Sequence, residues 1–188
     1  MSKIKTVGIV GTGVIGTGWI IRNLAHNKII HAYDQNKNLK NYVLKEIKRT
    51  SKSIKKLFGK KILIKNLKFF NSLEKALTNV DFVQESVLEN YKVKTDLIQK
   101  ISECVKSNVI ISSSSSGLLP SKIFSKSKNP QRGIIGHPFN PAYLLPAVEI
   151  VPGKKTTKKF LLEANKYYKS ISMKPIMLKK ELPGYLSD

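Results

Sequence analysis

The sequence predicts an α/β domain whose doubly wound, mostly parallel sheet is extended by additional C-terminal strands. Short β-branched segments alternate with longer amphipathic segments along most of the chain. A glycine-rich turn joins the first predicted strand to the first helix, and an acidic residue ends the second strand. These three observations together are typical of a Rossmann-type, dinucleotide-binding domain.

Short runs rich in β-branched residues mark the strands. The predicted strands cover residues 5–10, 29–34, 67–70, 81–86, 108–113, 132–137, 147–151 and 174–178. Helical spacing of apolar residues predicts helices over residues 14–27, 39–58, 72–79, 91–105 and 158–171. The many lysines of the second helix are interpreted as its solvated face. Because strands and helices alternate, we expect right-handed crossovers between parallel strands.

The glycine-rich turn reads G-x-G-x-x-G. Its first glycine permits a tight turn, the second lets a pyrophosphate approach the backbone, and the third allows close packing of helix on strand. We expect the cofactor to contact the six consecutive residues Gly11, Thr12, Gly13, Val14, Ile15 and Gly16. Asp34 ends the second strand, where a carboxylate would accept ribose hydroxyls and repel a 2′-phosphate. The sequence therefore predicts NAD, in preference to NADP, as the cofactor.

The composition is strongly basic, with 34 Lys and Arg against 12 Asp and Glu. The lysines are spread along the chain, and arginine, the residue favoured for reading bases, is scarce, so we expect no nucleic-acid partner. The sequence contains no apolar run of the length of a membrane span, and no membrane association is expected. The single cysteine, Cys104, suits a reducing compartment, which favours the cytoplasm. No metal site is expected, and His26 and His31 are interpreted as structural.

A proline-rich turn separates one histidine from one glutamate in residues 136–153. The segment from Pro138 to Pro146 can fold the chain back so that His137 and Glu149 meet. An imidazole titrates near neutral pH and can take a hydroxyl proton, while a carboxylate on its other nitrogen fixes the tautomer. A surface loop followed by a buried strand would explain the same segment without chemistry. The dinucleotide loop favours the catalytic interpretation.

Five segments resemble, in order, those of the 3-hydroxyacyl-CoA dehydrogenase family: GVIGTGW, DFVQES, SSSSSGLLPS, GHPFNPAYLLPAVEIV and KELPGYLSD. They extend over nearly the whole chain, and SGLLPS and HPFNPAYLLP are the most specific. The serine-only loop and the proline after His137 resemble the carnitine branch of the family more than the acyl-CoA branch. The resemblance implies NAD-dependent oxidation of a small molecule, carnitine or another 3-hydroxy acid derivative. Two alternatives stay open, namely oxidation of a 3-hydroxyacyl-CoA and NAD binding without turnover.

The resemblance also implies catalytic roles at three positions. His137 matches the general base of the family, and Glu149 matches the carboxylate that orients it. Ser115 matches the serine that hydrogen-bonds the reacting oxygen. Five consecutive serines fix this last match only to within about one residue.

Further positions match cofactor contacts or the substrate site. Glu89 and Lys94 match cofactor-contacting positions of the acyl-CoA branch, and Asn140 matches an asparagine near the nicotinamide. Asp188 falls where the acyl-CoA branch has a catalytic asparagine, and an aspartate there agrees with the carnitine branch.

The same resemblance implies two domains. Residues 1–182 would form the NAD-binding domain, and residues 183–188 would begin a helical domain that is truncated in this chain. Pro183 and Gly184 are typical of an inter-domain boundary. In the family the helical domain closes over the substrate and forms most of a dimer interface. We therefore expect a homodimer only when that domain is present.

Overall fold

A computed structural model describes residues 4–59 and 61–186, which form one eight-stranded sheet with helices packed on it. The strands are β1 (Thr6–Val10), β2 (Ile29–Tyr33), β3 (Leu67–Phe70), β4 (Phe82–Glu85), β5 (Ile110–Ser113), β6 (Gly133–Pro138), β7 (Ala147–Pro152) and β8 (Lys174–Met177). The α-helices are α1 (Val14–Ala25), α2 (Leu39–Phe58), α3 (Leu73–Leu77), α4 (Tyr91–Cys104), α5 (Pro120–Ile123) and α6 (Lys158–Ser170). Two short 3-10 helices cover Ile64–Asn66 and Pro130–Arg132.

The strand order is β3-β2-β1-β4-β5-β6-β7-β8, so the chain winds outward from β1 in both directions. All neighbours are parallel except β6 and β7, which are antiparallel. The carboxyl ends of β1 to β6 consequently lie along one side of the sheet, here called the carboxyl edge. Open parallel sheets bind their ligands at this edge, next to the point where the strand order reverses.

Alternate strand residues supply two apolar layers, as the two-residue period of a strand requires. Phe82 faces the layer formed with α1, α2 and α6, whereas its neighbour Val83 faces the layer formed with α3, α4 and α5. Ile134 and Ile135 divide between the layers in the same way. The central strands are therefore buried on both faces, and their polar side chains are held by packing on either side.

The predicted fold class is confirmed, and the predicted strands and helices are all present. The helix over residues 39–58 has the predicted bounds. α1 ends before the predicted residue 27 because Asn27 has a φ of 59°, a left-handed conformation that stops a helix. α5 and the two 3-10 helices were not predicted, since segments of three or four residues are too short to show a helical period.

The described residues contain no helix that is both long and apolar enough to cross a membrane. Residues 183–186 form a turn in which Tyr185 is buried against the layer of α3, α4 and α5. Asp188, singled out from the sequence, lies outside the described residues.

Candidate active site

The glycine-rich turn after β1 has the backbone geometry that phosphate binding requires. Gly11 has a φ of +88°, and a Cβ on it would lie 2.6 Å from the carbonyl oxygen of Ser86. A Cβ on Gly16 would lie 1.8 Å from the carbonyl oxygen of Gly11, so this position requires a glycine for helix–strand packing. An added Cβ on Gly13 would meet nothing within 4 Å, which leaves its backbone open to an approaching group. The three glycines therefore fit the roles that the motif assigns to them.

The N-terminus of α1 follows directly from this turn. No side chain caps it at Gly13, and its first turn carries no acidic residue. The partial positive charge of the helix end is thus available to an anion. Val14 is exposed, whereas Ile15 packs against the apolar layer of α1, and Thr12 is buried beside the turn. These residues fit a pyrophosphate.

Asp34 follows β2 and is held against the glycine turn. Its Oδ2 accepts the backbone N–H of Thr12 at 2.6 Å, and its Oδ1 accepts the N–H of Asn36 at 2.9 Å. A half-buried carboxylate fixed in this way can accept hydroxyl donors from a ribose and disfavours a second anion. Asp34 and the glycine turn together fit NAD.

His137 and Glu149 occupy opposite positions on the antiparallel pair of β6 and β7. The His137 Nδ1 lies 2.8 Å from the Glu149 Oε2. The histidine side chain is 15% exposed, whereas the glutamate side chain is 1% exposed. The second carboxylate oxygen of Glu149 accepts the backbone N–H of Leu186 at 3.0 Å. A buried carboxylate with two fixed oxygens can orient an imidazole that still faces the carboxyl edge.

Two aromatic rings lie beside the histidine. The ring centroid of Phe139 is 5.9 Å from that of His137, and the ring centroid of Tyr185 is 5.8 Å from it on a tilted plane. The Tyr185 hydroxyl donates to the carbonyl oxygen of Leu118 at 2.7 Å, and burial raises the pKa of this phenol. Tyr185 therefore stays neutral and closes one side of the histidine environment.

Glu89 binds the serine loop that follows β5. Its Oε1 accepts the hydroxyl of Ser115 and the backbone N–H of Ser116 at 2.9 Å. Partial burial raises the pKa of Glu89, but the Ser115 hydrogen bond and the nearby Lys94 ammonium outweigh it, so the pKa is lowered overall. The carboxylate is thereby kept ionised where the loop turns.

Lys94 is buried and makes its contacts inside the protein. Its Nζ lies 2.8 Å from the Oε1 of Glu85 and 3.5 Å from the Oε2 of Glu89. It also donates to the carbonyl oxygen of Val87 at 3.1 Å. The lysine thus connects α4 to the segment after β4 and supports Glu89, the more exposed of its two carboxylate partners.

The five serines alternate between the two faces of the sheet. Ser112 contacts Tyr168 and Ser114 contacts Trp19 on the face of α1 and α6. On the other face, Ser113 contacts Glu85 and Ser115 contacts Glu89. The side chain of Ser115 is fully buried, whereas Ser116 is exposed. Within the one-residue tolerance of the sequence match, Ser116 carries the hydroxyl that is accessible from solvent.

Asn140 is exposed on the turn that connects β6 to β7. Together with Val14, Thr17 and Tyr143 it lines a cavity of about 130 Å³ between this turn and α1. Asn140 therefore lies near α1, on the same turn that connects His137 to Glu149.

Three features of the site were not predicted from the sequence. They are a hydrogen-bonded cluster around Ser114, the ring of Tyr185 beside His137, and the buried Arg22 of α1. Two sequence features could have indicated buried polar contacts. They are the glutamine within strand β4 and the arginine within the apolar stretch that forms α1. Among the described residues, no three His, Cys, Asp or Glu side chains are grouped to hold a metal ion.

Residues 6–182 match the family described as the NAD binding domain of 3-hydroxyacyl-CoA dehydrogenase. The chain belongs to this family. The predicted family resemblance is confirmed, and NAD is the cofactor that the family domain binds. The glycine turn and Asp34 of this 3-hydroxyacyl-CoA dehydrogenase domain agree with that cofactor.

Curated relatives of this family domain include L-carnitine dehydrogenases. The enzyme of Pseudomonas putida is 39% identical over 189 residues, which cover 100% of this chain and 59% of that protein. The enzyme of Oceanobacillus iheyensis is 40% identical over 186 residues, which cover 98% of this chain and 61% of that protein. The chain thus spans about three fifths of the length of the curated relatives that it matches.

Solved structures of dehydrogenases and reductases share the fold. A diketoreductase superposes with a TM-score of 0.91 at 25% identity, covering 100% of this chain and 68% of that one. The (S)-3-hydroxybutyryl-CoA dehydrogenase of Ralstonia eutropha superposes with a TM-score of 0.86 at 26% identity. That comparison covers 98% of this chain and 66% of the other.

Proposed function

We propose that this chain binds NAD and, within an NAD-dependent dehydrogenase, oxidises the secondary alcohol of L-carnitine to 3-dehydrocarnitine. The observation that carries the proposal is the 2.8 Å contact between the His137 Nδ1 and the buried Glu149. Both residues lie at the carboxyl edge, which they share with the glycine turn. The identities of 39% and 40% to L-carnitine dehydrogenases support the choice of substrate.

The His137–Glu149 pair supplies the proton transfer that this reaction needs. A carboxylate can only accept, so the Nδ1 of the neutral ring carries the proton and the Nε2 is its basic nitrogen. As the carbinol C–H bond breaks, Nε2 takes the hydroxyl proton and the C–O bond becomes a carbonyl. Glu149 then stabilises the imidazolium, which returns the proton to water or to a ketone in the reverse direction. When bound, NAD accepts the hydride.

The cofactor would be held by the glycine turn, by the N-terminus of α1 and by Asp34. The open backbone at Gly13 suits the pyrophosphate, and the Asp34 carboxylate suits the adenosine ribose. Asn140 would lie near the nicotinamide. Glu89 would contact the nicotinamide side of the cofactor, and Lys94 would act through Glu89 because its own ammonium is buried.

A serine of the loop after β5 would bind the reacting oxygen. Ser115 is the residue matched by sequence, but its hydroxyl is buried and donates to Glu89. The adjacent Ser116 is exposed. We therefore assign the substrate contact to Ser116 and the bracing of the loop to Ser115.

We further propose that residues 1–182 form the NAD-binding domain and that a helical domain completes the substrate cleft and the homodimer. We also propose that the protein resides in the cytoplasm, because a sequence with one cysteine, Cys104, suits a reducing compartment. Sedimentation of the chain alone and joined to a helical domain tests the dimer. Dimerisation of the extended form only is the expected result.

A substrate panel tests the proposed reaction. The chain, alone and joined to a helical domain from a related L-carnitine dehydrogenase, is mixed with NAD and the formation of NADH is followed. With the extended form L-carnitine should give NADH, whereas D-carnitine and 3-hydroxybutyryl-CoA should not. Turnover of 3-hydroxybutyryl-CoA in preference to L-carnitine would reassign the substrate. Binding of NAD by the extended form without turnover of any alcohol would contradict the proposed activity.

A further inference from the structure

Five polar side chains form one hydrogen-bonded chain through the sheet. The hydroxyls of Ser112 and Tyr168 are 2.8 Å apart, and the Tyr168 hydroxyl lies 2.7 Å from the Oε1 of Gln84. The Gln84 Nε2 lies 2.9 Å from the Oγ of Ser114, which is in turn 2.8 Å from the Oγ of Ser86. This hydrogen-bonded series runs from Ser112, which is buried, to Ser86, which is half-buried.

The orientation of the Gln84 amide sets the direction of every hydrogen bond in this chain. The Nε2 lies 3.5 Å from the carbonyl oxygen of Gly136, which can only accept. The amide nitrogen must therefore face Gly136 and Ser114, and the Oε1 faces Tyr168. Burial raises the pKa of Tyr168, so its phenol keeps its proton and donates it to this oxygen.

The Ser114 hydroxyl accepts two hydrogen bonds and has one proton to donate. The indole Nε1 of Trp19 donates to its Oγ at 3.0 Å, and the Gln84 Nε2 donates to the same atom. A hydroxyl oxygen accepts two hydrogen bonds and donates one. Both lone pairs of Ser114 are therefore occupied, and its single proton must go to Ser86. It follows that Ser86 accepts from Ser114, and its own proton has to point elsewhere.

Ser86 lies beside the glycine turn. The backbone N–H of Ser86 donates to the carbonyl oxygen of Val10 at 2.8 Å, which fixes it beside the end of β1. A Cβ placed on Gly16 would lie 3.5 Å from the Cβ of Ser86. Among the contacts of the described residues, the Ser86 hydroxyl has Ser114 as its one hydrogen-bond partner. The Ser86 hydroxyl thus lies beside the glycine turn and keeps a proton for a further acceptor.

The position of Ser86 along the sheet indicates which half of the cofactor it meets. The strand order β2-β1-β4-β5-β6 places β4 between the strand that leads to Asp34 and the strand that carries His137. If Asp34 holds the adenosine ribose and His137 faces the alcohol, Ser86 lies on the nicotinamide side of the pyrophosphate. We infer that the Ser86 hydroxyl donates a hydrogen bond to an oxygen of the phosphate or ribose of the nicotinamide nucleotide, and that Ser114 orients it. This inference rests on the proposed placement of NAD.

Binding measurements with three ligands test the contact without requiring turnover. NAD, ADP-ribose and AMP are titrated calorimetrically into the unaltered chain, Ser86→Ala, Ser114→Ala and the double variant. Ser86→Ala should raise the Kd of NAD and of ADP-ribose by about 3–10-fold and leave the Kd of AMP within twofold. Ser114→Ala should weaken NAD as well, and the double variant should be no weaker than Ser86→Ala because the two residues act as a unit. Ser107→Ala, which alters an exposed serine before β5, serves as the matched control.

Other results of these titrations would contradict the Ser86 contact or the cofactor site on which it rests. An unchanged Kd for NAD in a folded Ser86→Ala variant would overturn the inference, as would equal weakening of AMP or fully additive effects in the double variant. Weakening of NAD but not of ADP-ribose would move the contact to the nicotinamide ring and contradict the assigned acceptor. If the unaltered chain bound no NAD, both the proposed cofactor site and this inference would be wrong. The contrary results described above for the serine variants would contradict only the inference and leave the proposed function intact.

Discussion

The guanidinium of Arg22 on α1 donates its Nε–H to the carbonyl oxygen of Ala142 at 3.1 Å. Its Nη2 donates to the carbonyl oxygen of Leu145 at 2.9 Å. Arg22 therefore joins the helix that would hold the cofactor phosphates to the turn that carries Asn140 and connects His137 to Glu149. Burial lowers the pKa of Arg22 to about 10, which leaves it charged at neutral pH.

Replacing Arg22 should destabilise the domain. Arg22→Met keeps much of the volume but leaves two carbonyl oxygens without their donor, at a cost of about 1–3 kcal/mol in the free energy of unfolding. Urea denaturation measures this change. Lys52→Met is the control, because Lys52 is exposed on α2 and its replacement removes one charge of the same sign. Equal stabilities of the two variants would show that the turn does not depend on Arg22.

Asp34 should set the preference between the two nicotinamide cofactors. Asp34→Ser removes a charged acceptor for the ribose and a repulsive charge for a 2′-phosphate, so the Kd of NAD should rise by about 10–100-fold relative to that of NADP. Calorimetric titration with both cofactors measures the ratio. Asp81→Ser is the control, since Asp81 binds the backbone of Lys5 and Thr6 at the other end of β1. An unchanged ratio would remove Asp34 from the ribose site.

Glu89 should make the stability of the domain depend on pH in the acidic range. Its pKa is lowered in the folded state, so the stabilisation is present above the ordinary glutamate pKa and is lost as the pH falls through the folded value. Glu89→Gln should therefore reduce the slope of the unfolding free energy between about pH 3 and pH 5. Glu103→Gln, on the exposed end of α4, controls for the loss of one charge. Identical slopes in the unaltered chain and Glu89→Gln would contradict the assigned contacts.

Of the two aromatic residues on the turn between β6 and β7, Phe139 and Tyr143, Phe139 is the better placed to meet a trimethylammonium group. Its ring lies 5.9 Å from that of His137, whereas Tyr143 packs against the apolar layer of α1. Loss of a cation–π contact in Phe139→Leu should raise the KM for L-carnitine by about 2–10-fold. Tyr143→Leu should leave this KM unchanged. The reverse pattern would place the quaternary ammonium at Tyr143.

The sequence was sufficient to predict the eight strands, five of the six α-helices and the meeting of His137 with Glu149, because local periodicity and a proline-rich turn determine them. It could not determine which serine of the run faces which partner, since a one-residue shift in a strand moves every side chain to the other face. The contacts of Trp19 with Ser114 and of Tyr185 with His137 join segments that are distant in sequence. Such contacts arise from packing of the two layers and carry no local pattern.

In the proposed reaction His137 takes the hydroxyl proton of the substrate. NADH formation with L-carnitine is measured for the chain joined to the helical domain, unaltered and with His137→Ala or His31→Gln, together with the Kd of NAD for each form. We expect His137→Ala to lower the rate by about 10²–10⁴-fold with an unchanged Kd, and His31→Gln, on β2, to change neither. A His137→Ala variant that turns over L-carnitine at the rate of the unaltered protein would contradict this role of His137.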